Sequence, residues 1–203
     1  IEDGESDISL RDSLAIVRTA PFVRLLTVFV TLESFVSTLW ISALLLVYLE
    51  RQLHIDTSWW GTMNASFLIS MILASAYLYR AQRSSSLGIS SMLSVGTALL
   101  FGVTSHIVFA LIALAVQGYA TQLRIIQTNT VLQETMPAAQ LPYVYSVQQT
   151  AYTLAFSIGS LTFGLLADGL PIAVVYLIGA ALTVPLVWLG RQIDLTEDVV
   201  QST

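Results

Sequence analysis

Two ionisable residues stand inside runs otherwise fit for a bilayer interior: Glu33 between Leu25 and Leu49, and Arg124 in the run that starts at Ile107. A lone charge at the centre of a bilayer costs about 2.5 to 3.5 kcal/mol on insertion scales, so such residues face protein or water and have partners. At ~1.5 Å per residue, Glu33 lies ~14 Å from Arg24 at one end of its run. Arg124 lies ~15 Å from Glu134, at the corresponding end of a helix running the other way. Equal depth places the two opposite each other across a helical bundle, directly or through substrate or water. A desolvated carboxylate takes up a proton, and an approaching cation returns it to the charged form. That is the chemistry of proton-coupled exchange. A permanent ion pair that orders the bundle would use the same two residues.

Helical spacing at about 100° per residue groups other polar side chains with this pair. Ser37, Trp40 and Tyr48 share the Glu33 face, and Gln117, Thr121 and Thr128 share the Arg124 face. A third stripe contains Tyr145, Gln149, Tyr152 and Phe156, with Gln148 at its edge, while Asn64 stands alone in an apolar run. The candidate site for substrate binding or coupling is therefore Glu33, Arg124, Ser37, Trp40, Asn64, Gln117, Thr121, Gln149 and Tyr152. Amides and hydroxyls can equally be glue between helices.

The elements that must hold these residues follow from composition. The chain has 203 residues, 55% hydrophobic and 10% charged, against roughly 25% charged in ordinary soluble domains. Mean hydropathy is +0.76. A spanning helix needs about 20 mainly apolar residues, and charges, Pro and Gly divide the chain into six such runs, at about 22–49, 59–79, 87–105, 107–135, 143–166 and 171–189. The expectation is an all-α membrane protein with a six-helix transmembrane bundle over 22–190. It is preceded by a cytoplasmic segment, 1–21, carrying a short amphipathic helix, and followed by a cytoplasmic tail, 191–203. The sixth run has only Thr183 as an interior polar residue and reads as a lipid-facing wall. With the N-terminus inside, Arg11, Arg18, Arg24, Arg80, Arg83 and Arg191 are cytoplasmic and Arg51 is external, which satisfies the positive-inside bias. Apolar Ile8, Leu14 and Ile16 among charges fit a helix lying at that interface, and a flexible tether is the alternative.

The stretch NTVLQETMPAAQLPYVYSVQQTAYTLAFSIGSLTFGLLADGL resembles the tenth and eleventh helices of major facilitator superfamily (MFS) transporters, in the branch of macrolide-type drug exporters and siderophore exporters. The residues that carry the likeness are Thr130, Leu132, Gln133, Pro137, Leu141, Val144, Gly159, Leu161, Gly164 and Asp168. The chain departs from the family at Pro142-Tyr143, where Gly-Arg is usual. The resemblance implies the C-terminal half of a twelve-helix MFS fold, with the helices here numbered first, second, fourth and fifth nearest the central path. It also implies partners: a small-molecule substrate, a coupling proton, the lipid bilayer and the N-terminal six-helix half. The expected function is a secondary active transporter, exporting small amphipathic molecules or drugs across a bacterial plasma membrane. The alternative is a non-transporting six-helix membrane protein or channel-like subunit.

Other chemistry has little to stand on. With no cysteine there is no thiol nucleophile, and His54 and His106 have no Cys, Asp or Glu at ligand spacing, so neither a metal nor another cofactor is expected. No hydrolase elbow, phosphate loop or H-E-x-x-H stretch occurs, and an enzyme is not expected. A net charge of −5 without a basic patch argues against nucleic acid. Pro185, Gly159 and Gly164 read as marks of kinks and close packing.

Overall fold

The computed structural model describes residues 10–40, 42–81 and 86–201. Ile8 and Arg83, used above for the amphipathic segment and the orientation, lie outside the described residues. The described chain is built of helices: α1 Leu10–Thr19, α2 Pro21–Ser37, α3 Ser42–Tyr48, α4 Trp59–Ala81, α5 Leu87–Val103, α6 Ile107–Thr135, α7 Leu141–Gly169 and α8 Ile172–Gln201. Pro21 at the start of α2 and Pro142 in the first turn of α7 occupy positions where a missing N–H costs nothing. Five segments are long and apolar enough to cross a membrane, namely Pro21–Trp40, Trp59–Arg80, Ile107–Thr135, Leu141–Gly169 and Ile172–Thr196. The third expected span is a shorter apolar helix of 17 residues that ends at Val103, where Thr104 turns extended. α8 continues well past Leu189, through the segment expected to be a tail.

The first expected span, 22–49, is not one continuous helix. α2 gives way to a 3-10 turn at Thr38–Trp40, and α3 runs into a π-turn at Leu49–Leu53. No Pro or Gly announces the break. Ser37 and Thr38 donate their hydroxyls back to Ser34 O and Phe35 O at 2.8 Å each, a local alternative to the helical ladder. Tyr176 from α8 donates to Leu39 O at 3.1 Å, so this carbonyl keeps a partner. The stretch beyond the break caps other helices. Tyr48 Oη and Gln52 Nε2 donate to Thr104 O after α5, and Arg51 donates to Ala167 O near the end of α7 at 2.7 Å. At its other end α5 is capped by Asp194 of α8, which accepts from the backbone N–H of Leu87 and Gly88 and from Ser86 Oγ.

α5 packs along α8, α4 along α6, and α2 along α7, with further contacts between α5 and α6 and between α2 and α8. Two of these crossings use the same device. In α2, Ser34 donates to Tyr152 O of α7 at 2.8 Å, and a Cβ on Gly159 would collide with Phe35 O and Thr38 Oγ1. In α4, Ser66 donates to Leu111 O of α6 at 2.9 Å, and a Cβ on Gly118 would collide with Phe67 O and Ser70 Oγ. The pattern is Ser-Phe-x-x-Thr/Ser on one helix, set against a glycine and the carbonyl seven residues before it on the other. Backbone contact of this kind replaces the hydrophobic drive that lipid cannot supply between helices. Gly164 has open space around it and marks no crossing.

Two apolar layers close the bundle. One, at the end carrying α1 and the tip of α8, joins Val17, Val23, Leu26, Leu87, Leu132 and Ile193. The distal layer joins Leu39, Tyr48, Phe101, Leu114, Phe163 and Tyr176. α8 contributes to both through one buried face, while its Val184 and Trp188 are exposed. Half of this helix is thus exposed and half is packed into the bundle. The polar residues of interest lie between the layers.

Candidate functional site

Glu33 reaches the site from the last full turns of α2, and Arg124 from the middle of α6. Arg124 Nη2 lies 3.0 Å from Glu33 Oε1, with side-chain exposures of 7% and 20%. The arginine is held from a third helix as well. Its Nη1 donates to Ser94 Oγ at 2.6 Å and Ser90 O at 3.4 Å, and Nη2 also approaches Thr121 Oγ1 at 3.3 Å. Arg124 is thus anchored in the α5–α6 wall, whereas Glu33 is the partner that looks out of it.

It looks into a chamber of about 300 Å³ between α2, α6 and α7. Of the expected site residues, Glu33, Ser37, Thr121, Arg124, Gln149 and Tyr152 line it together. Phe29, Tyr145, Gln148, Thr128 and Asn129 are also in its wall. Gln148 Nε2 donates to Thr27 Oγ1 at 3.3 Å, which ties α7 to α2 beside the chamber. The volume is at the lower end of the range for small-molecule sites, and the mix of aromatic faces with a few convergent polar groups is typical of them.

Trp40 and Gln117 lie elsewhere, around a second, small pocket that also touches Glu33, Ser37 and Arg124. Trp40 meets Phe101 edge-on at 5.2 Å between ring centres. Gln117, 1% exposed, accepts a hydrogen bond from Thr97 Oγ1 at 2.7 Å. Asn64 is turned back on its own helix, donating to Trp60 O at 2.9 Å, and does not line the chamber. Tyr48, placed by helical spacing on the Glu33 face, is fully buried against Phe101 and Tyr176. The break at Thr38–Trp40 cancels the spacing on which that placement depended.

Sequence reasoning missed the part played by α5. Ser90, Ser94 and Thr97 bind the two most buried polar side chains of the site, and Thr183 of α8 lines the small pocket. Small hydroxyls on an apolar helix read alike whether they pack helices or bind a buried charge. The available signal was the spacing of Ser90, Ser94 and Thr97, which puts them on one face.

An all-α, multi-pass membrane protein with a buried ion pair beside an internal chamber is the class that fold and site define. Among proteins of known sequence, the chain is 30% identical over 168 residues to the uncharacterized MFS-type transporter YjbB of Bacillus subtilis (strain 168), covering 80% of this chain and 42% of that protein. It is 22% identical over 151 residues to the uncharacterized MFS-type transporter YfmI of the same organism, covering 71% and 37%. The chain therefore spans about two fifths of the length of these curated relatives. No protein-family model matches the chain, and no solved structure matches it.

Proposed function

We propose that this chain is the C-terminal, six-span half of an MFS secondary transporter that exports small amphipathic molecules in exchange for protons. The observation that carries the reading is the Glu33–Arg124 pair at the wall of a 300 Å³ chamber, in a chain similar to two MFS-type transporters. In this reading α5 is the third span despite its length, both termini are cytoplasmic, and the membrane is the bacterial plasma membrane.

Glu33 holds one side of the exchange. One of its oxygens lies 3.0 Å from Arg124 Nη2. A proton arriving from the chamber weakens the pair, and a cationic or polar group of the substrate competes for the same carboxylate. Tyr152, Gln149 and Ser37 would bind the rest of a bulky, amphipathic molecule through aromatic faces and hydrogen bonds. The test uses the complete transporter in proteoliposomes, with an imposed pH gradient and a fluorescent cationic amphiphile. Glu33→Gln is expected to keep a native-like thermal transition and to lose gradient-driven uptake. Removing one partner of a structural buried pair instead costs about 3 to 5 kcal/mol, so a poorly folded Glu33→Gln would favour a static pair. Unchanged gradient-driven transport would refute the proposal.

A further inference from the structure

Arg124 has a donor that the described side chains do not serve. A guanidinium carries five N–H groups in a fixed fork. Nη1 faces Ser94 Oγ and Ser90 O, and Nη2 faces Glu33 Oε1 and Thr121 Oγ1. Nε, fully buried, has no acceptor. A second buried polar atom, Ser91 Oγ, also has no partner. Both residues line the same small pocket, of about 10 Å³.

We infer that this pocket holds one ordered water molecule, which accepts from Arg124 Nε and bonds Ser91 Oγ. A buried water needs about 10 to 15 Å³ of such space and two to four polar partners. The pocket meets the lower bound on volume, and Ser94, Gln117 and Thr183 add polar groups to its lining. A dry pocket would leave two buried polar atoms carrying their full desolvation penalty within one small space. With the water in place, every donor of the guanidinium is served, and all but one are served from the α5–α6 side or by water. Arg124 then stays fixed when Glu33 lets go, so a single carboxylate is the moving part. The water site itself does not depend on the transport reading.

The direct test is a structure of the complete protein at a resolution that shows ordered waters. A density peak within hydrogen-bond reach of both Arg124 Nε and Ser91 Oγ is expected, and an empty pocket between well-ordered side chains overturns the inference. Ser91→Ala tests it independently through stability. If the pocket is dry, removing an orphaned hydroxyl from a helix in favour of a better helix former raises the thermal midpoint. If water is bound there, the variant takes away one of its partners and the midpoint falls by a few degrees. A midpoint that holds or rises counts against the water.

Discussion

The guanidinium of Arg124 draws its acceptors from α2, α5 and its own helix, and this sharing decides what its loss would do. Arg124→Ala leaves Glu33 without its counter-charge and Ser94 Oγ without its donor, beneath a side chain that is 7% exposed. Losing the bonds to α5 together with the ion pair is expected to cost more than a single hydrogen bond. Arg51, by contrast, lies at an exposed end of the bundle and makes one hydrogen bond, to Ala167 O. Arg51→Ala is expected to cost about 1 kcal/mol, the scale of a single hydrogen bond discounted for solvent. Thermal unfolding of the complete protein in detergent would rank the two, and equal losses would mean that Arg124 is no more than another helix cap. Both charged partners were legible in the sequence, because a charge in an apolar run is conspicuous and equal depth predicts the pairing. The acceptors on Ser90 and Ser94 were not, since a hydroxyl has no cost that marks its purpose. Tyr48 was misplaced for a third reason: spacing assumes an unbroken helix.

At the scale of the element, the two Ser-Phe-x-x-Thr/Ser crossings show how these helices reach backbone contact. Gly159 and Gly164 look equivalent in the sequence, five residues apart in one helix, yet only the first faces a neighbouring carbonyl. Gly159→Ala forces α7 away from α2 at the Ser34–Tyr152 hydrogen bond, and overpacking of this kind typically costs about 1 to 3 kcal/mol. Gly164→Ala meets open space and gains up to about 1 kcal/mol of helix propensity. A lower thermal midpoint for the first variant and an equal or higher one for the second are expected, and similar behaviour of the two would contradict the crossing geometry. Element boundaries were easiest to read where Pro, Gly or charge punctuates the chain, as between α6 and α7. The break after Ser37 carries no such punctuation. It depends on hydroxyls that bond backward and on Tyr176, which lies far away in sequence.

For the whole molecule, the placement of the chamber relative to the two apolar layers determines which side it serves. Its lining on α2 begins at Phe29, on α6 extends to Asn129 and on α7 begins at Tyr145, all nearer the end that carries α1 and the tip of α8. Beyond Ser37 the path is stopped by Leu39, Tyr48, Phe101, Phe163 and Tyr176, whose rings pack at centre distances of 4.5 to 5.6 Å in the Tyr48, Phe101 and Tyr176 group and its neighbour Trp40. The chamber lining lies nearer the terminal end, and a cysteine at Asn129 should react from the same side of the membrane as one at Thr196. A cysteine at Ser105, exposed at the distal end, should react from the opposite side. These 203 residues contain no cysteine, so within them each variant reports one site. Because MFS-type relatives are more than twice the length covered here, the labelling belongs in the complete protein. Reaction of Asn129→Cys from the Ser105 side alone would show that the aromatic layer is not the barrier and that the chamber opens the other way.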